Sequence, residues 1–152
     1  MGRLQIVRRS PIESVRGTSM DDFNLKVPMN GEARTRVSGD NTALKFGSGS
    51  IDVFGTPAMI ALMEEASINT VDKILPEGFA TVGIELNIKH IAATPKGMNI
   101  TASAELIEID GKRLVFKVEA FDEVEKIGEG THQRYIIELE KFKSKSQSKS
   151  IK

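Results

Sequence analysis

Residues 56–75 read TPAMIALMEEASINTVDKIL, and this stretch decides the fold. Pro57 suits a first helical turn, where proline's missing N–H has no partner to lose, and Thr56 before it can serve as the cap. Leu75-Pro76-Glu77-Gly78 supplies the stop. Between these limits Met59, Ile60, Ala61, Leu62, Met63, Ala66, Ile68, Val71 and Ile74 spread around most of the circumference. The pattern predicts one long helix, and a helix apolar nearly all round is expected inside a fold rather than on its surface.

Downstream, the period changes from helical to alternating. Four strands are predicted, at about 80–91, 98–109, 112–122 and 131–142. Ile100, Ala102, Ala104 and Leu106 mark one face of the second; Leu114, Phe116, Val118 and Ala120 mark one face of the third. Asp110-Gly111 between them is a two-residue hairpin signal, since a type I′ turn needs positive φ at its centre. One buried helix and an antiparallel sheet hide their apolar surfaces together only if the sheet curves around the helix. The expected class is therefore α+β, in the hotdog arrangement. Open sheet edges and an incompletely covered helix flank predict a homodimer, with a dimer of dimers as an extension.

Upstream, Phe23, Leu25 and Val27 alternate as a strand would. Residues 1–19 hold four arginines (Arg3, Arg8, Arg9 and Arg16) against one acid, Glu13. They read as a leader, with Met20 as the natural start. Residues 143–152, KSKSQSKSIK, read as a solvated, disordered Lys/Ser-rich tail. The domain is expected to span 20–142.

Composition narrows the function. Lys plus Arg and Asp plus Glu number 21 each, so no overall field favours nucleic acid. No apolar run is long enough to predict a membrane span, and the absence of a signal-peptide core predicts the cytoplasm. With no cysteine and two histidines, neither thiolate chemistry nor a metal site is expected. There is no GxSxG elbow, GxGxxG fingerprint or P-loop, and Phe46–Ser50, FGSGS, reads as a flexible loop.

Glu64 stands mid-helix among apolar residues, where a carboxylate is costly unless paired or set in a cleft. A solvent-facing stripe would also explain it, and explains Glu65 more readily, since the two project about 100° apart. Thr56 is readable as a cap or as a group beside the free N–H donors of a helix start. On a straight helix about 12 Å separates it from Glu64, so a joint role needs a looped Thr56, a substrate between them or a second subunit. His90 closes a strand, where it can be structural or face a pocket mouth. Gly83 marks either a bulge or a close backbone approach by a ligand.

Val53-Phe54-Gly55-Thr56, Leu62-Met63-Glu64, His90-Ile91-Ala92-Ala93-Thr94-Pro95 and Gly128-Glu129-Gly130-Thr131-His132-Gln133-Arg134 together resemble the fluoroacetyl-CoA thioesterase family, over about Met20 to Phe142. The resemblance implies the hotdog fold, active sites near a subunit interface, and coenzyme A thioesters as substrates. It also implies no cofactor beyond the CoA of the substrate. It places the catalytic group on Thr56, Glu64 and His90, and substrate contacts on Gly83 and Arg134. The lid aromatic of the family's fluoroacetyl specialist falls on a serine of the stretch Lys45-Phe46-Gly47-Ser48-Gly49-Ser50, with Phe46 nearby as a substitute, and a frequent tryptophan falls on Glu65. The competing readings are a non-catalytic acyl-CoA-binding module and an enoyl-CoA hydratase. For the hydratase, no acid–histidine pair occurs on one short segment. A DNA-binding version of the module would need a helix-turn-helix, and residues 1–50 show no such pattern.

Overall fold

In the computed structural model, residues 23–150 are described. The chain runs β1 (Met29–Arg36), α1 (Ala43–Phe46), α2 (Thr56–Val71), β2 (Phe79–His90), β3 (Asn99–Asp110), β4 (Arg113–Phe121), β5 (Lys126–Glu138) and α3 (Leu139–Gln147). The five strands form one antiparallel sheet in the order β1-β3-β4-β5-β2. This is the α+β arrangement the sequence predicts. Asp110 pairs with Arg113 across the β3–β4 hairpin, so the two-residue loop is Gly111-Lys112 rather than Asp110-Gly111, and of the two only Gly111 takes a positive φ, 62°; the hairpin forms where expected, but not with the type I′ turn.

The core lies between α2 and one sheet face. Met59, Leu62, Met63, Ala66 and Val71 of the helix share it with Ile100, Ala102, Ala104 and Leu106 of β3 and with Leu114, Phe116, Val118 and Ala120 of β4. Each large side chain removed from water here contributes about 1.5–3 kcal/mol. The opposite flank of α2 is open: Ala61, Glu65 and Asn69 are exposed, and Ile68 is 37% exposed. Enclosure on all sides is thus not realised among the described residues.

Other expectations shift. Phe23, Leu25 and Val27 form no strand. Phe23 and Leu25 are buried, with Phe23 set edge-on against Phe79 at 5.4 Å, while Asn24 takes a φ of 60° that breaks any extended run. The strand is the polar segment that follows. α2 ends at Val71 rather than Leu75. β5 begins at Lys126, five residues before the predicted 131, and gives way at Leu139 to α3. The tail expected to be disordered is therefore helical as far as Gln147, although no α3 residue is buried. The expected leader, 1–19, lies outside the described residues. No described helix is long and apolar enough to cross a membrane.

Among the described residues β2 is an edge strand paired with β5 alone, and its register shifts by one residue between Gly83 and Glu85. Gly83 lies opposite Arg134, Leu86 opposite His132, and His90 opposite Gly128. This bulge and the helix above it set the candidate site.

Candidate active site

Two groups of polar side chains sit at different places along α2. The first is at the helix start. Gly55, not Thr56, is the N-cap, and no side chain caps the helix. Thr56 occupies the first helical position, and its hydroxyl instead meets His90 Nδ1 at 2.7 Å. The capping reading of Thr56 is thereby replaced, because the histidine competes for the same oxygen. Thr56 is not looped out. His90 Nε2 is buried and has no hydrogen-bonding partner among the described residues. Burial pushes the imidazole below its ordinary pKa, with the Ala92 backbone opposing. A neutral imidazole carrying an unpaired nitrogen is equipped to take or return a proton.

A cleft of about 350 Å³ adjoins this pair, lined by Ala43, Ser48, Val53, Phe54, Thr56, His90, Ile91, Ala92 and Ala93. Its wall is mostly small and aliphatic. The first turn of α2 also leaves the Thr56 and Ala58 N–H groups without helical partners, whereas Met59 N–H already bonds Gly55 O. Phe46 does not line this cleft. It borders a separate groove with Phe54, Ala58, Ala61, Leu62 and Glu65, and the residue of its loop that does reach the cleft is Ser48.

The second group surrounds Glu64, whose side chain is 35% exposed. Oε2 lies 3.7 Å from Arg134 Nη1 and 4.0 Å from His132 Nε2. A Cβ on Gly83 would fall 2.7 Å from that same oxygen and 3.1 Å from His132 Cε1. Gly83 therefore marks both a bulge and a close approach, and the group approaching is the Glu64 carboxylate itself. Arg134 is 4% exposed and commits two donors to Thr81: Nε to Oγ1 at 2.8 Å and Nη2 to the carbonyl at 2.9 Å. Only its Nη1 edge faces Glu64.

His132 carried no functional weight in the sequence, yet it is fully buried in this group. Its Nδ1 lies 2.9 Å from the Glu85 carbonyl, which can only accept, so Nδ1 carries the proton. Nε2 is then the lone pair that accepts from Arg134 Nη1 at 3.1 Å. Burial first, and Arg134 after it, push the His132 pKa down, against the Glu85 carbonyl and Glu64. The ring is thus a neutral brace for the arginine. The alternation His132-Gln133-Arg134, which puts both ends on one strand face, was the available signal.

The structure thus joins Thr56 to His90, and Glu64 to Gly83 and Arg134, as two separate clusters. From Gly83 to His90 the strand advances about 20 Å, so one protomer's Glu64 group does not meet its own Thr56–His90 pair directly.

A single antiparallel sheet holding one central helix is the hotdog fold, and a threonine–histidine pair at the helix start with a carboxylate at its middle is the arrangement expected of a hotdog-fold thioesterase. The sequence pattern of the fluoroacetyl-CoA-specific thioesterases matches residues 37–140. The chain belongs to that family and is a thioester hydrolase. It is 41% identical over 99 residues to the fluoroacetyl-CoA thioesterase of Streptantibioticus cattleyicolor, covering 65% of this chain and 71% of that one. A solved structure of the fluoroacetyl-CoA thioesterase FlK superposes with a TM-score of 0.78 at 33% identity, covering 83% of this chain and 98% of the other. A variant of FlK solved with acetyl-CoA matches at 0.77 and 33%, over 84% and 100%. A hot-dog-like protein of Thermanaerovibrio acidaminovorans shares the fold, with a TM-score of 0.75 at 21% identity over 85% and 94%.

Proposed function

We propose that the protein hydrolyses a short or modest acyl-CoA thioester to a carboxylate and free CoA, with Glu64, His90 and Thr56 as its catalytic residues. The supporting observation is the 2.7 Å contact between Thr56 Oγ1 and His90 Nδ1 at a helix start bordering a cleft. Glu64 attacks the thioester carbonyl or activates the attacking water. His90 moves the proton, Thr56 orients it, and the first-turn N–H groups face the developing oxyanion. Gly83 and Arg134 border the acyl end of the substrate. No cofactor is required beyond the CoA the substrate carries, and the cytoplasm is the compartment this reading fits.

The reading includes a homodimer. β2 is an edge strand with Ile84 50% and Leu86 43% exposed. Antiparallel pairing of two β2 strands about an axis near Leu86 and Asn87 would set Gly83 of one protomer across from the partner's His90. The two clusters would then meet across the interface, with the thioester between them.

The test is thiol release across a series of acyl-CoA chain lengths, for the wild type and Glu64→Gln. Turnover of the shorter esters, lost in the folded variant, is expected. A wild-type protein that binds acyl-CoA and releases no thiol from any of them would instead be a binding module. Glu64→Gln within about tenfold of wild type would make Glu64 only a solvated helix residue.

A further inference from the structure

Asp72 departs from what its position favours. It is the C-cap of α2, where the last carbonyls make a carboxylate unfavourable, and the last helical turn holds no basic residue to offset it. Both its oxygens accept from one residue of β2. Thr81 N–H donates to Oδ2 at 3.2 Å, and the Thr81 hydroxyl donates to Oδ1 at 2.7 Å.

The direction of that second bond has a consequence. Arginine has no acceptor, so Arg134 Nε must donate to Thr81 Oγ1, and the hydroxyl's one proton must point elsewhere. It points to Asp72. The carboxylate thus turns the Thr81 oxygen lone pairs toward the guanidinium, while the Thr81 carbonyl takes Nη2. With two edges fixed on Thr81 and His132 accepting from Nη1, the guanidinium plane has one orientation, and that orientation aims Nη1 at Glu64. Asp72 also shares the arginine's charge. Without it, Glu64 would be the remaining carboxylate facing a buried cation and would be drawn onto it.

We propose that Asp72 and Thr81 are positioning residues for the hydrolysis, acting through Arg134 to hold the Glu64 carboxylate at the distance and angle where it reacts. This rests on the reading in which Glu64 carries the chemistry. Asp72→Asn keeps the shape and the acceptor for the hydroxyl, but sets an amide N–H₂ against the Thr81 N–H. Thr81→Val removes the acceptor for Nε together with the hydroxyl bond to Asp72 Oδ1, and leaves the Asp72 carboxylate and its bond from the Thr81 N–H in place. Thr81→Ser keeps the hydroxyl and is the rescue.

The experiment measures kcat, KM and thermal midpoint for acetyl-CoA hydrolysis by the full chain. Asp72→Asn and Thr81→Val should each lower kcat about 10- to 100-fold with KM nearly unchanged, and Thr81→Ser should recover most of it. In an Arg134→Lys background, which keeps the charge but lacks the fork, Asp72→Asn should cost little more. Equal losses from Asp72→Asn with Arg134 intact and in the Arg134→Lys background would mean that it acts only as a helix-to-strand tie, and would overturn the proposal. So would a wild-type kcat in both Asp72→Asn and Thr81→Val. Should Asp72→Asn fail to fold, Thr81→Val against Thr81→Ser in the same two backgrounds decides it. Glu64→Gln separates the two levels of failure. If that variant keeps turnover, the site reading falls and this inference with it; if it is dead while Asp72→Asn is normal, only this inference falls.

Discussion

The two polar groups along α2 are built on opposite terms. At the helix start, Thr56 is exposed, His90 is half-buried, and one hydrogen bond joins them beside an open cleft. At mid-helix, Arg134 and His132 are buried, and nearly every polar atom has a fixed partner. A proton carrier needs a ring with an unpaired nitrogen and room for a substrate. A charge that must stay put needs a rigid surround, because a misplacement of about 1 Å costs on the order of a hundredfold in rate. The difference teaches that a site residue is recognised as much by the freedom its neighbours leave it as by its chemistry.

The largest effect is expected at the freer end. His90→Ala should fold, bind acyl-CoA and lose kcat by roughly 10²- to 10⁴-fold, as for a lost acid–base group. Turnover and thermal midpoint on one preparation check it, with Gln133→Ala as a control; near-normal turnover in a folded His90→Ala would erase the contrast between the ends. The rigid end is sharpened by Gly83→Ala. The added methyl displaces the carboxylate or His132, since Cβ would lie 2.7 Å from Glu64 Oε2. A loss of about tenfold or more in kcat, with a small change in midpoint, is expected; unchanged kinetics would mean the Glu64 carboxylate has no fixed seat.

The smallest effect concerns pH. Burial lowers both His90 and His132 from the ordinary 6.5, so the unfolded chain takes up protons before the folded one does. Stability is therefore full above about 6.5 and declines as pH falls through the two depressed folded values. Thermal midpoints from about pH 8 to pH 5 should show that decline, and His132→Gln should reduce it. A flat profile would mean that both rings protonate in the fold without penalty.

What the sequence made legible follows from periodicity. The helix at 56–71 and the β3–β4 hairpin announce themselves through apolar spacing and Asp110-Gly111. β1 does not, because Ala33 is its one buried residue and, Met29 and Gly31 apart, the rest of the strand is polar. The beginning of β5 is hidden by Gly128 and Gly130; a Cβ at the first would strike Met59 Sδ at 2.5 Å, so small size there serves packing and erases the strand signal. In the site, Glu64 stood out as a carboxylate in an apolar helix, whereas His90 was singled out mainly by family resemblance. Asp72 and Thr81 gave no signal, since each is an ordinary polar residue at the end of its element until the fold sets them 2.7 Å apart.

The register shift at Gly83 and Glu85 is a matter of parity. In an unbroken strand, two positions separated by an odd number of residues point to opposite faces, and Gly83 and His90 are such a pair. Its one extra residue changes odd to even. Gly83 and Arg134 face the helix before it; Leu86, His132 and His90 face the helix after it. A single-residue insertion or deletion between 84 and 90 would therefore leave the composition of the strand almost untouched and still turn His90 to the outer face, out of reach of Thr56. The count of residues along β2, not only their identity, is part of the proposed active site.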